Sequence, residues 1–333
     1  MYKTYLSFLV ISLISACSLP TDDTIPNLVD AIFTCDPDGG NLINYYDTFA
    51  TYVQIIPNSN KLLYQNGDDL MIYNIENENS YAIVDTLDVY SSGNTLHTLN
   101  NTGEIVSFAA IDDSYYYEVF MYNINNELVF KVSHANDTHS IRPSFANTCN
   151  DIVYLQADGD SRLNHYKLLI YDFEDETTTV LLEAESGDKI HNPIFSHDDS
   201  KIYFIYNLSS EVFLYEYNLI SDELSELISN VTVSYNLLTI SDNGILCYRD
   251  NSEFIHIYNT NNSIDKTIVE GFYPCISPDG SYIAYQSSNV YASIYSYNIQ
   301  NDQIHSIFGY GGYPLFSWDS MKISFSGMYD SNQ

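Results

Sequence analysis

The chain has 333 residues, 45% of them hydrophobic, which is too long for a small disulfide scaffold and enough for one large packed domain. It carries 44 Asp and Glu against 11 Lys and Arg, a formal net charge of −33. Such a field repels phosphate backbones, so it argues against nucleic acid as a partner and against charge-driven binding to an anionic membrane, while cationic partners and metal ions stay open.

The chain begins with one basic residue, Lys3, then an apolar run from Tyr5 to Ile14 and small residues up to Cys17. This order predicts a secretory signal over residues 1–16, too short to span a membrane. A Cys directly after the small residues resembles a bacterial lipobox and predicts lipidation at Cys17. Two or more acyl chains, palmitate among them, anchor stably where one does not. Ser18 in place of an acidic residue fits outer-membrane sorting, and Asp22 and Asp23 resemble the acidic tether of surface-exported lipoproteins. Residues 17–27 read as a polar, Pro-containing linker. The expected address is therefore the outer membrane, on its periplasmic face or at the cell surface, with the membrane contacted through the lipid anchor only.

From Ala31 to Tyr45 the chain reads as a strand, a turn at Asp36-Pro37-Asp38-Gly39-Gly40 and a second strand. A longer pattern then repeats. Polar turns recur at residues 57–60, 100–103, 146–149, 197–200, 241–244, 277–280 and 317–320, spaced 36 to 51 residues apart. Each is followed by an alternating strand, such as Ile202-Tyr203-Phe204 or Ile283-Ala284-Tyr285. A second phrase, an apolar-aromatic strand running into Asn or Asp, closes six of the seven units; Met71 to Ile75 and Tyr295 to Ile299 are examples. Asn and Asp suit that turn because they tolerate the left-handed region and bond their own backbone. The seventh unit lacks this phrase, and the strand pair at Ala31 to Tyr45 is the missing half. The prediction is an all-β, seven-bladed β-propeller over residues 28–333, with its last blade closed by strands from both termini. Closure leaves no open seam between the first and last blades, and about 43 residues per unit fits the propeller period.

These phrases resemble the WD40-like repeats of the TolB family. Ser277-Pro278-Asp279-Gly280 followed by Tyr282 to Tyr285 matches its inner-strand motif, and Asp36 to Asn41 matches its Asp-Gly-Gly turn. The resemblance implies the propeller fold but no single role, since this scaffold hosts many. TolB itself carries an α/β domain ahead of its propeller and is soluble in the periplasm, and this chain departs from both. Enzymes of the prolyl-oligopeptidase type add a hydrolase domain, for which the sequence offers no GxSxG elbow.

In a propeller the loops that lead into the inner strands ring one mouth of the central channel. Here they bring His97, His139, Arg142, His191, Asn192, Tyr273 and Tyr313 forward as candidate binding residues. Two or three His at a mouth suit a divalent metal, an arrangement similar to that of some seven-bladed pectin-degrading lyases that use Mn²⁺. The acidic loop Asp36 to Asn41 offers Ca²⁺ ligands, but no Glu closes an EF-hand, so it reads as a hairpin turn. No P-loop, HExxH or GxGxxG occurs. The expectation is no cofactor, with Ca²⁺ or Mn²⁺ the alternative, and no catalytic residue.

Tyr115, Tyr116 and Tyr117 sit in a loop-like stretch and offer an exposed contact. Cys35, Cys149, Cys247 and Cys275 allow three disulfide connectivities, but their setting in or beside strands favours buried free thiols. The expected function is a non-catalytic envelope lipoprotein that binds or scaffolds a protein, peptide or glycan. A metal-assisted polysaccharide lyase or hydrolase and a structural subunit of an envelope assembly are the alternatives.

Overall fold

The computed structural model describes residues 28–84, 87–89, 97–111, 115–134, 137–158, 166–208, 211–233, 238–288 and 292–331. The expected signal segment, linker and lipidation site Cys17 lie outside them. The described residues form seven antiparallel sheets and no helix, the propeller expected from the repeats. The inner strands of blades 1, 3, 4, 6 and 7 are Thr51–Ile55, Thr138–Phe145, Lys189–Phe195, Phe272–Ile276 and Gly311–Phe316. Blade 5 starts with the short strand Thr239–Ile240. Blade 2 differs: its innermost position is shared by Asp88–Val89 and Thr98–Leu99, both paired with Ile105–Ile111. The face on which inner strands begin is called upper here, and the face on which they end, lower.

Blade 7 is assembled from both chain ends. Its order from the outside in is Ile43–Tyr46, Leu28–Cys35, Ile323–Asp330 and Gly311–Phe316. The pairing runs from Leu28 opposite Asp330 to Cys35 opposite Ile323 without a break. Phe33 stacks on Phe325 at 5.5 Å between ring centroids. Gly327 makes room for the Phe308 ring, which a Cβ there would meet at 2.7 Å. A side-chain bond from Ser324 Oγ to the Val53 carbonyl (2.6 Å) ties this blade to blade 1.

The repeated turns have a shared chemistry. In the turn at 277–280, Ser277 Oγ donates to Asp279 Oδ1 (2.6 Å), which also accepts from the Ser281 amide (2.9 Å). Ser277 Oγ in turn accepts from the Tyr282 amide (2.9 Å) and so starts the second strand. The same relay recurs through Ser196 with Asp198 and Ser317 with Asp319. These bonds, from Ser196 first, hold the Asp198 carboxyl down at about 2. Asn100 performs both tasks alone, accepting from the amides of Glu104 and Ile105 at 3.0 Å each. The outer turns work alike: Asn74, Asn123, Asp172, Asn218 and Asn298 each accept from the amides two and three residues on.

Packing lies between blades. Second strands are the most buried, as in Lys201–Leu208, while outer strands such as Thr177–Glu183 are mostly exposed. Tyr203 and Ile205 of blade 4 meet Leu246 and Tyr248 of blade 5 in one apolar cluster. Burying such wide surfaces between adjacent sheets is what holds the ring rigid. Cys35, Cys247 and Cys275 are buried free thiols, as expected, whereas Cys149 is free but exposed in its turn. Asp36 is taken up by Lys322 Nζ at 2.5 Å and by Asn41, so the Asp36–Gly40 loop is a braced hairpin.

Candidate functional site

Five inner strands share one irregularity at the upper face. Tyr52, Arg142, Asn192, Tyr273 and Tyr313 have φ of 51°, 57°, 49°, 49° and 55°, and the ladder slips its register at each. A non-glycine residue in this region is strained by about 1–2 kcal/mol, and here the surrounding sheet holds it. In four of the five strands the next residue is a proline: Pro143, Pro193, Pro274 and Pro314. Proline has no N–H, so leaving the ladder at that point strands no donor. The bulge turns the preceding side chain out of the strand's alternation and toward its counterparts on neighbouring blades.

The result is two sectors of different chemistry. Blades 6, 7 and 1 form an aromatic one. Tyr313 lies between Tyr273 (4.7 Å, 58°) and Tyr52 (4.6 Å, 50°), with Tyr52 and Tyr273 buried. Arg249 braces it from blade 5. Its Nε donates to the Gly271 carbonyl (2.9 Å), its guanidinium stands 4.4 Å over the Phe272 ring, and its Nη2 pairs with Glu253 at 3.2 Å. Above these rings opens a cavity of about 680 Å³, within the range of ligand sites. Phe49, Phe272, Tyr310 and Met328 supply much of its wall, and Asp30, Thr48, Thr51, Glu253, Gln286 and Ser326 are among its polar groups.

Blades 3 and 4 form the polar sector. Arg142 Nη1 lies 2.8 Å from Asn192 Oδ1 and 3.2 Å from His191 Nδ1. A guanidinium only donates, so Nδ1 accepts and the neutral His191 carries its proton on Nε2. Burial, then Arg142 and Lys189, push His191 down to about 3. His139 is placed apart from it. Its Nδ1 accepts from the Tyr117 amide (3.1 Å), and its ring packs on Tyr116 and Tyr117 at 5.3 and 5.4 Å. Burial lowers its pKa.

Of the residues brought forward by the sequence, Tyr273 meets Tyr313, and Arg142 meets His191 and Asn192. His97 does not reach the mouth: it is 3% exposed, at the start of the inner part of blade 2, and burial pushes it down to about 4. The three His therefore sit in three separate surroundings. Among the described residues, no three His, Cys, Asp or Glu side chains gather to hold a metal ion. Of the tyrosine run, Tyr115 is 87% exposed, whereas Tyr116 and Tyr117 are half-buried against His139.

Tyr52 and Arg249 were missed. Tyr52 precedes a valine rather than a proline, so its bulge had no local signal beyond its place in the repeat. Arg249 lies at the end of the second strand of blade 5, Ile245–Arg249, and is drawn in by tertiary packing. At the lower end, a second cavity of about 260 Å³ lies in the channel, walled by apolar side chains of all seven blades with Trp318 among them.

No family model matches the chain, and no curated protein matches it. Solved structures show the fold. The chain is similar to an oligogalacturonate lyase in complex with manganese, at 12% identity and a TM-score of 0.67, covering 92% of this chain and 98% of that one. It is similar to TolB from Acinetobacter baumannii at 10% identity and a TM-score of 0.51, covering 90% of this chain and 63% of TolB. It is also similar to a propeller in a nidogen/laminin complex, at 9% identity and a TM-score of 0.53, covering 90% and 98%. At such identities the likeness is one of architecture.

Proposed function

We propose that the protein is a non-catalytic recognition module of the cell envelope, anchored through Cys17, that holds a protein, peptide or glycan at the upper mouth of its propeller. The observation that carries this is the 680 Å³ cavity set on rings that strained, sheet-held bulges lock in place. Varied side chains on a rigid ring favour recognition, and preorganisation lowers the entropy lost on binding. The chain enters the fold at Leu28, opposite Asp330, on this same upper face. The eleven residue steps from Cys17 to Leu28 reach at most about 40 Å, so a lipid at Cys17 would keep Leu28, at this face, within that distance of the membrane.

The test is capture from native envelopes with the intact lipoprotein, beside Phe49→Ala/Tyr310→Asn and Arg142→Ala/His191→Ala variants. A partner retained by the parent chain and lost by one variant supports the reading and names the sector. A partner retained by both variants moves the site elsewhere and favours a structural subunit.

A metal-assisted lyase or hydrolase is the second reading, favoured by the fold shared with the manganese-bound lyase. Against it stand the separation of His97, His139 and His191 and a charge that repels polyuronates. A rise in melting temperature with MnCl₂ that disappears in His191→Ala would reverse this preference.

A further inference from the structure

The upper cavity has a chemistry that narrows its occupant. Its lining contains no Lys, Arg or His. Its charged members are Asp30, exposed and without an ion pair among the described residues, and Glu253, whose charge Arg249 partly offsets. Its walls are mostly aromatic rings and backbone carbon. Phe49 and Tyr310 are 55% and 42% exposed on its rim, and Leu28 and Met328 extend the apolar surface beside it at 42% and 38%. The segments that carry them are joined through the backbone: the Met328 amide donates to the Tyr310 carbonyl (2.9 Å), and Met328 pairs with Asp30 across the sheet. Gly312 keeps one wall open, since a Cβ there would press on Gln286 Oε1 at 3.3 Å. The Gln286 amide makes no side-chain hydrogen bond among the described residues.

We infer that this cavity takes a basic peptide segment of a protein partner, seating an aromatic or branched apolar side chain between Phe49, Tyr310 and Tyr313 and directing flanking Lys or Arg side chains toward Asp30. The inference rests on the reading of the upper mouth as a recognition site and names its ligand class. Three arguments select it. Carbon-rich walls desolvate an apolar side chain. The Gln286 amide can bond one peptide unit of an extended segment. A net charge of −33 draws cations and repels anionic glycans, and it speeds the encounter of a basic segment at low salt.

The test uses the full chain and a fluorescent hexapeptide, Arg-Arg-Phe-Leu-Arg-Arg, with Glu-Glu-Phe-Leu-Glu-Glu and cellohexaose as competitors of other chemistry. The expected result is binding of the basic peptide alone, weakened by salt. Gly312→Leu, which fills the cavity, should weaken it more than tenfold, and so should Phe49→Ala/Tyr310→Asn, which alters only exposed rim side chains. Asp30→Asn should weaken it about threefold, as a partly exposed charge contact does, and Asp175→Asn on the opposite face should leave it unchanged. Equal affinity in the parent, Gly312→Leu and Phe49→Ala/Tyr310→Asn chains would overturn the inference, because diffuse charge would then account for binding. Failure of the basic peptide to bind would overturn it as well. Binding of cellohexaose that Phe49→Ala/Tyr310→Asn abolishes would overturn the ligand class while keeping the mouth. Retention of an envelope partner by every mouth variant would overturn the mouth itself.

Discussion

His97 and His191 are bases that the fold keeps from taking up a proton, at about 4 and about 3. In the unfolded chain both imidazoles titrate near 6.5. Between that value and the folded ones the unfolded state binds more protons, so stability falls as pH drops through the window and is untouched above it. At His97 the difference corresponds to about 3 kcal/mol near pH 4. The urea midpoint should therefore drop less between pH 7 and pH 4 in His97→Phe than in the parent chain; parallel drops would show that His97 protonates freely in the fold. Arg249 carries a different burden. With its side chain 4% exposed, it holds the Gly271 carbonyl, covers Phe272 and meets Glu253. Arg249→Ala should cost about 2–4 kcal/mol in urea unfolding, because it leaves a carbonyl unpaired and a void under the aromatic sector. A loss below about 0.5 kcal/mol would mean that the Phe272–Tyr273 segment holds its place unaided.

At the level of elements, turns and bulges do separate work. The Ser-Asp relay starts the second strands of blades 4, 6 and 7, and the bulges aim side chains at the mouth. Asp279→Ala removes the acceptor for Ser277 Oγ and the Ser281 amide, and should lower stability by about 1 kcal/mol while leaving mouth binding alone. Tyr313→Val places a β-branched residue at φ 55° and should lower stability more than Tyr313→Asn, which suits that conformation, although both lose the ring. Chemical denaturation of the pair checks this. Equal losses would show that the ring contacts with Tyr52 and Tyr273 matter and the backbone strain does not. The relay was legible in the repeating Ser and Asp positions because its bonds span only two to five residues. The bulges were half legible: the X-Pro steps marked four of them, but only the slipped register shows that these residues leave the ladder.

For the molecule as a whole, closure is the decisive event. Leu28–Cys35 fills the edge of Ile323–Asp330, and Ser324 joins that blade to the next. Deleting residues 28–46 should leave a long apolar edge strand, with loss of a single cooperative unfolding transition and gain of self-association in sedimentation. Trp318 lies in the turn of the same blade, so its emission should report the opening. A monomer with an unchanged transition would show that six closed blades suffice. The closed ring also builds the upper mouth, from side chains of blades 6, 7 and 1 that are distant in the chain.

The sequence by itself determined the fold, the number of blades and the exchange of strands in blade 7, because turn chemistry and strand alternation are local and repeat. It also placed Tyr273, Tyr313, Arg142, His191 and Asn192 on one face, since each leads into an inner strand. Only the tertiary structure decided who meets whom. His97, His139 and His191 take different places in their repeats, with His139 opposite Ala157 and His191 opposite Ile205, and the neighbours that each meets in the folded ring set its burial and partners. The aromatic sector and its cavity arise in the same way: Tyr52 and Tyr313 are far apart in the chain and come within 4.6 Å only because the ring closes.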